Sequence, residues 1–151
     1  FFEVSIDDLL SGEKLLSIAE KENKSNIWNM CDLWFGIVDL FSFILVALPL
    51  YPNTIDGFIY SVSLLTYTET TSINLVIYWV MFISLVVAGL IKLLLTKFKI
   101  ERCSNTVTGA SMILSILTVL FMAMTREAYA VVVVFILLVM KGLLLLKCTK
   151  I

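Results

Sequence analysis

The chain has 151 residues, of which 60% are hydrophobic and 15% are charged, and its mean hydropathy is +1.02. Such a composition excludes an ordinary soluble domain of this size. The formal net charge of −1 argues against a general polyanion binder. The sequence contains no histidine, the commonest general base and metal ligand. We therefore expect no enzyme, no metal site and no cofactor.

The first thirteen residues predict a short helix that closes a domain. Residues 2–13 read FEVSIDDLLSGE, in which Ser5 suits an N-cap, Asp7 and Asp8 suit the first turn, and Gly12 suits a C-cap. The apolar residues of so short a segment need a core supplied from elsewhere, so we expect the chain to be truncated at its N-terminus. The alternative is a cytosolic amphipathic helix that simply precedes the first membrane span.

The remainder of the chain has the pattern of a membrane-spanning domain. After a polar stretch at residues 14–27, which we interpret as a linker or a helical extension, residues 28–151 form the predicted membrane domain. Its four apolar stretches are each close to the ~20 residues that a helix needs to cross a bilayer. They lie at residues 33–51, 73–95, 106–124 and 129–146. The predicted fold is therefore all-α, a four-helix transmembrane bundle preceded by a short cytosolic helical stub.

The order of the spans and their flanking charges predict the topology. The connection between the third and fourth spans is so short that these two helices must be antiparallel neighbours. Lysine and arginine are retained on the cytoplasmic side of a membrane, which predicts a multi-pass protein of the cell membrane with both termini cytoplasmic. With that orientation Arg126 is the only basic residue outside. The basic residues on the inner face are then Lys14, Lys21, Lys24, Lys97, Lys99, Arg102, Lys147 and Lys150.

Two lysines and an aspartate lie within the predicted spans. Asp39 lies about 9 Å inside the first span and Lys141 about 8 Å from the inner end of the fourth, by the rise of an α-helix. An intramembrane carboxylate normally turns towards a partner, so we predict an Asp39–Lys141 ion pair, with Lys92 as the alternative partner. Both lysines are also placed to snorkel inward. Small residues at helical spacing, such as Ser111 and Ser115, are interpreted as packing positions.

The predicted ion pair has two interpretations. In one, it is a switchable contact whose breakage reports on the state of the membrane. In the other, which is favoured, it is a static staple, because interior ion pairs often serve only geometry.

The segment between the first two spans is the longest feature on the predicted outer face. It carries acidic but no basic residues, and its aromatic side chains suit a membrane-water interface. We expect an interfacial helix or a re-entrant hairpin, and we hypothesise that this segment senses an external signal. The residues proposed for sensing are Asp56, Phe58, Tyr60, Tyr67 and Glu69.

The three cysteines predict neither a disulfide framework nor a zinc knuckle. They are odd in number and show no C-x-x-C spacing. Cys31, Cys103 and Cys148 all fall at the predicted inner face, where thiols stay reduced. A metal or redox site shared by all three is the less favoured interpretation.

Both ends of the chain carry a resemblance to a known family. Residues 2–13 are similar to the end of the Cro/CI-type (XRE family) helix-turn-helix domain, in which an LFxVSxDxLL pattern forms the turn and the final helix. The membrane half resembles the C-terminal region of a group of bacterial XRE-type regulators with several transmembrane helices. This second match lies at residues 32–40 (DLWFGIVDL), 125–130 (TREAYA) and 141–147 (KGLLLLK).

The resemblance implies a membrane-anchored transcriptional regulator. It implies sequence-specific DNA binding through a recognition helix, usually as a dimer, by an N-terminal domain absent from this chain, so no residue here is assigned to DNA readout. The chain would then tether that domain to the membrane and sense an inducing ligand. The alternative function is a small four-span transport or channel subunit with a cytosolic N-terminal helix. A pore would need polar or charged residues continuing to the outer leaflet, whereas beyond the charged residues of the inner half the spans offer mainly hydroxyl groups.

Overall fold

The computed structural model describes residues 3–150, with the side chains of residues 3–5, 7 and 8 left out of the description. Helices make up most of it, and a two-stranded antiparallel hairpin interrupts them. The helices are α1 (Glu3–Leu40), α2 (Ile44–Ala47), α3 (Ser72–Lys97), α4 (Glu101–Met124) and α5 (Ala128–Thr149). The strands are β1 (Tyr51–Ile55) and β2 (Phe58–Val62), and 3-10 turns occupy Phe41–Phe43 and Leu64–Thr66.

Four helical stretches are long and apolar enough to cross a membrane. They are Leu9–Ala47, Ser72–Lys97, Glu101–Met124 and Ala128–Thr149. The predicted all-α fold class is therefore confirmed, with four candidate spans that follow an N-terminal helical segment. The first stretch includes α1 from Leu9 onward, the 3-10 turn and α2, because the helix tightens and then continues rather than breaking.

The predicted end of a short helix at Gly12 is wrong. α1 runs without interruption from Glu3 to Leu40, so Gly12 lies in its interior and Ser5 lies inside its first turns rather than before them. The side chains of Ser5, Asp7 and Asp8, to which capping roles are assigned above, lie outside the described residues. The polar residues 14–27 form the helical extension rather than a flexible linker, since glutamate and lysine are good helix formers.

The four long helices form a ring. α1 packs against α3 and α5, α3 packs against α4, and α4 packs against α5. The predicted antiparallel pairing of the third and fourth spans is confirmed, since only a short turn at residues 125–127 separates α4 from α5. The N-terminus of α1 and the C-terminus of α5 therefore lie at one end of the bundle, here named the terminal end, and the β-hairpin lies at the other, the hairpin end.

A pair of glycines sets the distance between α1 and α3. A Cβ atom added to Gly89 would lie 2.8 Å from the Cβ of Asp39 and 2.9 Å from the carbonyl oxygen of Gly36. Side chains other than hydrogen therefore do not fit at this crossing. Close backbone approach through small residues is a common way for apolar helices to pack in a membrane.

The segment between the first two candidate spans contains a β-hairpin, so the expected interfacial helix is wrong, and the alternative of a re-entrant hairpin stays a prediction. Strands β1 and β2 pair in register from Tyr51 opposite Val62 to Ile55 opposite Phe58. Asp56 and Gly57 form the two-residue turn, both with positive φ (54° and 83°). This is the geometry that Asp-Gly sequences favour between paired strands.

The main hydrophobic core lies at the hairpin end. Aromatic rings stack through it, with Tyr78 between Tyr51 and Phe82 at centroid distances of 6.3 and 6.4 Å. Tyr51 also contacts Tyr67, and its hydroxyl donates a hydrogen bond to the carbonyl oxygen of Leu45. The buried cluster is completed by Leu45, Val46, Leu64, Met122, Ala130 and Val134. The loop that carries the hairpin is thus packed onto the helices.

Candidate functional site

The first of two buried ion pairs joins α1 to α5. The Nζ of Lys141 contacts the Oδ1 of Asp39, and their side chains are 1% and 0% exposed. Ser111 on α4 donates a hydrogen bond to Oδ2 of Asp39 at 2.6 Å. Lys141 Nζ also donates to the hydroxyls of Ser111 and Ser115, at 3.0 and 2.5 Å. The structure thus brings together the two residues for which the sequence predicts a pair.

The second ion pair joins α1 to α3, nearer the terminal end. Lys92 Nζ lies 3.0 Å from Oδ1 of Asp32, so its assignment as an alternative partner of Asp39 is wrong. Because α1 and α3 are antiparallel and meet at Gly36 and Gly89, a residue just after Gly89 faces one just before Gly36. Asp32 is such a residue, one turn before Gly36, and Asp39 lies on the other side of the crossing.

Hydroxyl groups on α4 complete the second ion pair as they do the first. Ser104 Oγ donates to Oδ2 of Asp32 at 2.8 Å. Lys92 Nζ donates to the carbonyl oxygen of Ser104 at 3.1 Å and to the hydroxyl of Thr108. Asp32 is 19% exposed and borders a cavity of about 140 Å³ that Ser25, Asn29 and Glu101 also line. This pair is therefore the better hydrated of the two.

The two lysines do not snorkel towards the terminal end. Lys92 and Lys141 are 0% and 1% exposed, and both ammonium groups lie near the ring of Phe35. Their Nζ atoms are 5.3 and 5.5 Å from its centroid, a separation at which an aromatic face attracts a cation. Asp32, Phe35 and Asp39 lie on one face of α1, so that face meets two cations held by α3 and α5.

Ser111 and Ser115 do more than allow close packing. Together with Ser104 they are buried, and their hydroxyls reach across the centre of the ring to groups on α1 and α5. Their spacing along α4 predicts only that they share a face. Their role depends on the diagonal position of α4 relative to α1, which the sequence does not show. The polar groups of the four helices therefore form two hydrogen-bonded clusters, one around each ion pair.

A second polar cluster lies at the hairpin end. The hydroxyl of Tyr67 donates a hydrogen bond to Oε1 of Glu127, which lies in the turn between α4 and α5 and is 3% exposed. Within residues 3–150, Oε2 of Glu127 has no hydrogen-bond partner. Burial raises the pKa of Glu127 above its ordinary value, and the hydrogen bond from Tyr67 opposes part of that rise. Burial and the neighbouring Glu127 likewise raise the pKa values of Tyr67 and Tyr51.

The residues proposed for sensing divide into two sets. Asp56, Phe58 and Tyr60 are on the hairpin and are exposed, Phe58 by 69% and Tyr60 by 52%. Tyr67 instead turns inward to Glu127 and is 7% exposed. Glu69 holds the hairpin, since its Oε1 accepts a hydrogen bond from the backbone N–H of Thr54 at 2.7 Å. Tyr67 is thus the buried member of the five, and Glu69 is exposed but bound to the hairpin backbone.

The expectation of three unpaired thiols is wrong. Cys31 on α1 and Cys148 on α5 form a disulfide with a Cα–Cα distance of 6.4 Å, whereas Cys103 on α4 is free and exposed. Cysteines so far apart in the sequence meet because α1 and α5 are neighbouring antiparallel helices. Within the described residues, no group of three histidine, cysteine, aspartate or glutamate side chains is placed to hold a metal ion.

Comparison with known proteins identifies the family of this chain. No protein-family model matches the chain, and no solved structure matches it. A curated relative, the HTH-type transcriptional activator BcrR of Enterococcus faecalis, is 41% identical over 141 residues, which cover 93% of this chain and 69% of the relative. A relative that names a transcriptional activator points to a regulator of transcription and away from an enzyme. At this identity and coverage, the chain belongs to the family of the HTH-type transcriptional activator BcrR.

Proposed function

We propose that this chain is the membrane-anchoring region of an XRE-type transcriptional activator. Its four long helices cross the cell membrane, both termini are cytoplasmic, and an N-terminal helix-turn-helix domain binds DNA. The relative's name supports DNA-dependent activation, and the resemblance of residues 2–13 to the end of a Cro/CI-type domain supports the family. The concentration of basic residues at the terminal end supports the orientation.

The observation that carries this proposal is the continuity of α1. A single helix runs from Glu3, in the segment that resembles the end of a DNA-binding domain, to Leu40, deep in the bundle. Residues 13–26 of this helix are exposed, whereas Asp32, Phe35 and Asp39 bind groups on α3, α4 and α5. A rigid helix of this kind fixes the position of any domain joined to its N-terminus relative to the bundle.

We further propose that the β-hairpin is the surface that senses an external signal. Phe58, Ile59 and Tyr60 are 69%, 76% and 52% exposed, although each is large and apolar or aromatic. The base of the hairpin packs on the core through Tyr51 and Tyr67. A ligand that engages the tip would therefore act on residues that contact α3 and the turn before α5.

Location and DNA occupancy of the full-length protein test the anchoring function. Membrane fractionation of the bacterial host, followed by chromatin immunoprecipitation, should recover the protein in the membrane pellet and on a promoter. A reporter fused to that promoter should lose activity when the gene is deleted. Recovery in the soluble fraction would contradict the anchoring, and the absence of any bound promoter would contradict the DNA-dependent function.

Substitution of the hairpin tip tests the sensing function. The combined change Phe58→Ser, Ile59→Ser and Tyr60→Ser removes the exposed apolar surface and leaves the core intact, unlike a deletion of residues 56–69, which would also remove Leu64 and Tyr67. We expect the variant to keep its membrane level and to lose induction of the reporter by envelope stress. Leu65→Ser is the matched control, because Leu65 is 71% exposed in the same segment. Normal induction of the tip variant would contradict sensing by the hairpin.

A further inference from the structure

The disulfide lies where α1 joins the bundle. Residues 13–26 of α1 are exposed, and Cys31 is among the first buried side chains that follow them, at 9% exposure. Its partner Cys148 is 6% exposed and lies in the last turn of α5. The bond therefore ties the helix that leaves the bundle at its N-terminus to the final helix of the chain. Asp39 and Lys141 make a second contact between the same two helices deeper in the bundle.

A groove makes the cysteine pair accessible to a small reagent. It has a volume of about 340 Å³ and lies between α1 and α5. It is lined by Ile27, Met30, Cys31, Trp34, Leu144 and Lys147. A thiol or a disulfide of low molecular weight can thus approach Cys31 without opening the core. The attacking species in thiol–disulfide exchange is the thiolate.

The position of the cysteine pair also determines whether it is kept permanently oxidised or is oxidised reversibly. In the orientation proposed above, the terminal end faces the cytoplasm, where disulfides are usually transient and redox-sensing. A structural disulfide would add little stability there, because the cytoplasm reduces it. The two helices are also already joined by the Asp39–Lys141 pair. Two cysteines held at bonding distance, beside an open groove, are instead suited to reversible oxidation.

We propose that Cys31 and Cys148 form a reversible redox modification site that takes a disulfide of low molecular weight as its oxidant. The Cys31 thiolate attacks one sulfur of the oxidant, which releases one thiolate and leaves a mixed disulfide on Cys31. The Cys148 thiolate then attacks the Sγ of Cys31 and releases the second thiolate. Two protein thiols are thereby oxidised to a disulfide, and their two protons pass to the two thiolates released from the oxidant, which is thus reduced to two thiols.

The consequence for transcription rests on the proposed function. The oxidised pair clamps α1 to α5 at the terminal end, whereas the reduced pair leaves this end of α1 held by the Asp32–Lys92 contact with α3. Oxidation therefore changes which neighbours hold the helix that bears the DNA-binding domain. We expect the change to alter promoter output without any contribution from the hairpin.

Oxidation of intact cells tests the chemistry of the site. Cells that express the full-length protein are treated with diamide, which oxidises the cellular thiol pool, and free thiols are alkylated before digestion and mass spectrometry. The peptide that links Cys31 to Cys148 should rise at least tenfold after diamide and disappear after dithiothreitol. It should persist in Cys103→Ser, the matched control, and be absent from Cys31→Ser and Cys148→Ser. A linked peptide that fails to form, or that is equally abundant without diamide, would overturn the proposal.

The same cells test the regulatory consequence separately. Diamide should change the promoter reporter several-fold in the wild-type protein and in Cys103→Ser, and the change should vanish in Cys31→Ser and in Cys148→Ser. If Cys31→Ser and Cys148→Ser respond to diamide as strongly as the wild-type protein does, regulation through this pair is overturned. A linked peptide that forms in a protein that binds no promoter would leave the site established and contradict the proposed function instead.

Discussion

Asp39 and Lys141 form a buried ion pair that joins the first helix of the bundle to the last, and hydroxyl groups of α4 bind both partners. Removing one partner of such a pair leaves the other charge buried and uncompensated, which costs about 3–5 kcal/mol. We therefore expect Asp39→Lys and Lys141→Asp each to lower the thermal stability of the purified protein sharply. The double variant Asp39→Lys, Lys141→Asp should recover much of the loss.

Size-exclusion chromatography after heating in detergent measures these changes. Lys147→Asp is the matched control, because Lys147 is an exposed lysine on the same helix, and it should have little effect. If the double variant is as damaged as Asp39→Lys alone, the two residues do not act as a pair.

Substitution of Gly89, where α1 crosses α3, tests the close packing of these two helices. In Gly89→Ala the new Cβ would lie 2.8 Å from the Cβ of Asp39, so the helices must separate, at a cost of about 1–3 kcal/mol. Gly142→Ala is the control on α5, because a Cβ there has no neighbour within 4 Å, and alanine favours helix. The melting temperature should fall in the first variant and stay level or rise in the second. If Gly89→Ala and Gly142→Ala have the same melting temperature, α1 and α3 do not approach each other closely at Gly89.

Part of this arrangement is readable from the sequence and part is not. The depths of Asp39 and Lys141 in their spans are enough to predict a pair, because helical rise converts residue number into distance. The order of the helices around the ring is not encoded in hydropathy, so the partner of Lys92 and the diagonal reach of Ser104 and Ser111 could not be predicted. The contact between Cys31 and Cys148 depends on the same missing information.

The hairpin, in contrast, has a local signal. Asp56-Gly57, flanked by Ile55 and Phe58, is the strongest short-range pattern for two paired strands, and it points to a β-hairpin rather than a helix. The partner of Tyr67 has no such signal, because Glu127 follows an exposed arginine in a short turn and reads as a surface residue. Its burial arises only when the loop packs over that turn.

Glu127 predicts a pH dependence of stability. Because burial raises its pKa in the folded protein above the ordinary value of 4.5, folding favours the protonated form. The resulting stabilisation is complete below pH 4.5 and is lost as the pH rises through the pKa of the folded state. Glu127→Gln stays neutral and should lack this decline. Tyr67→Phe removes the hydrogen bond that holds the pKa down, so in that variant the decline should extend to higher pH.

Melting temperatures of the detergent-solubilised protein between pH 4 and pH 8 measure this dependence. A change of 1 kcal/mol corresponds to about 2–4 °C for a protein of about this size, so the difference is resolvable. Glu20→Gln is the control, because Glu20 is exposed on α1, and it should retain the wild-type profile. An identical profile in Glu127→Gln would mean that another group carries the dependence.

Labelling of intact cells tests most directly the claim that this chain anchors a transcriptional regulator in the membrane with its hairpin outside. In a full-length protein with Cys31→Ser and Cys148→Ser, a membrane-impermeant maleimide should label the thiol introduced by Phe58→Cys, which replaces a side chain that is 69% exposed. Cys103, which is native, free and exposed at the opposite end, should be labelled only after the cells are permeabilised. Labelling of Cys103 in intact cells, or protection of the thiol at position 58, would contradict the account.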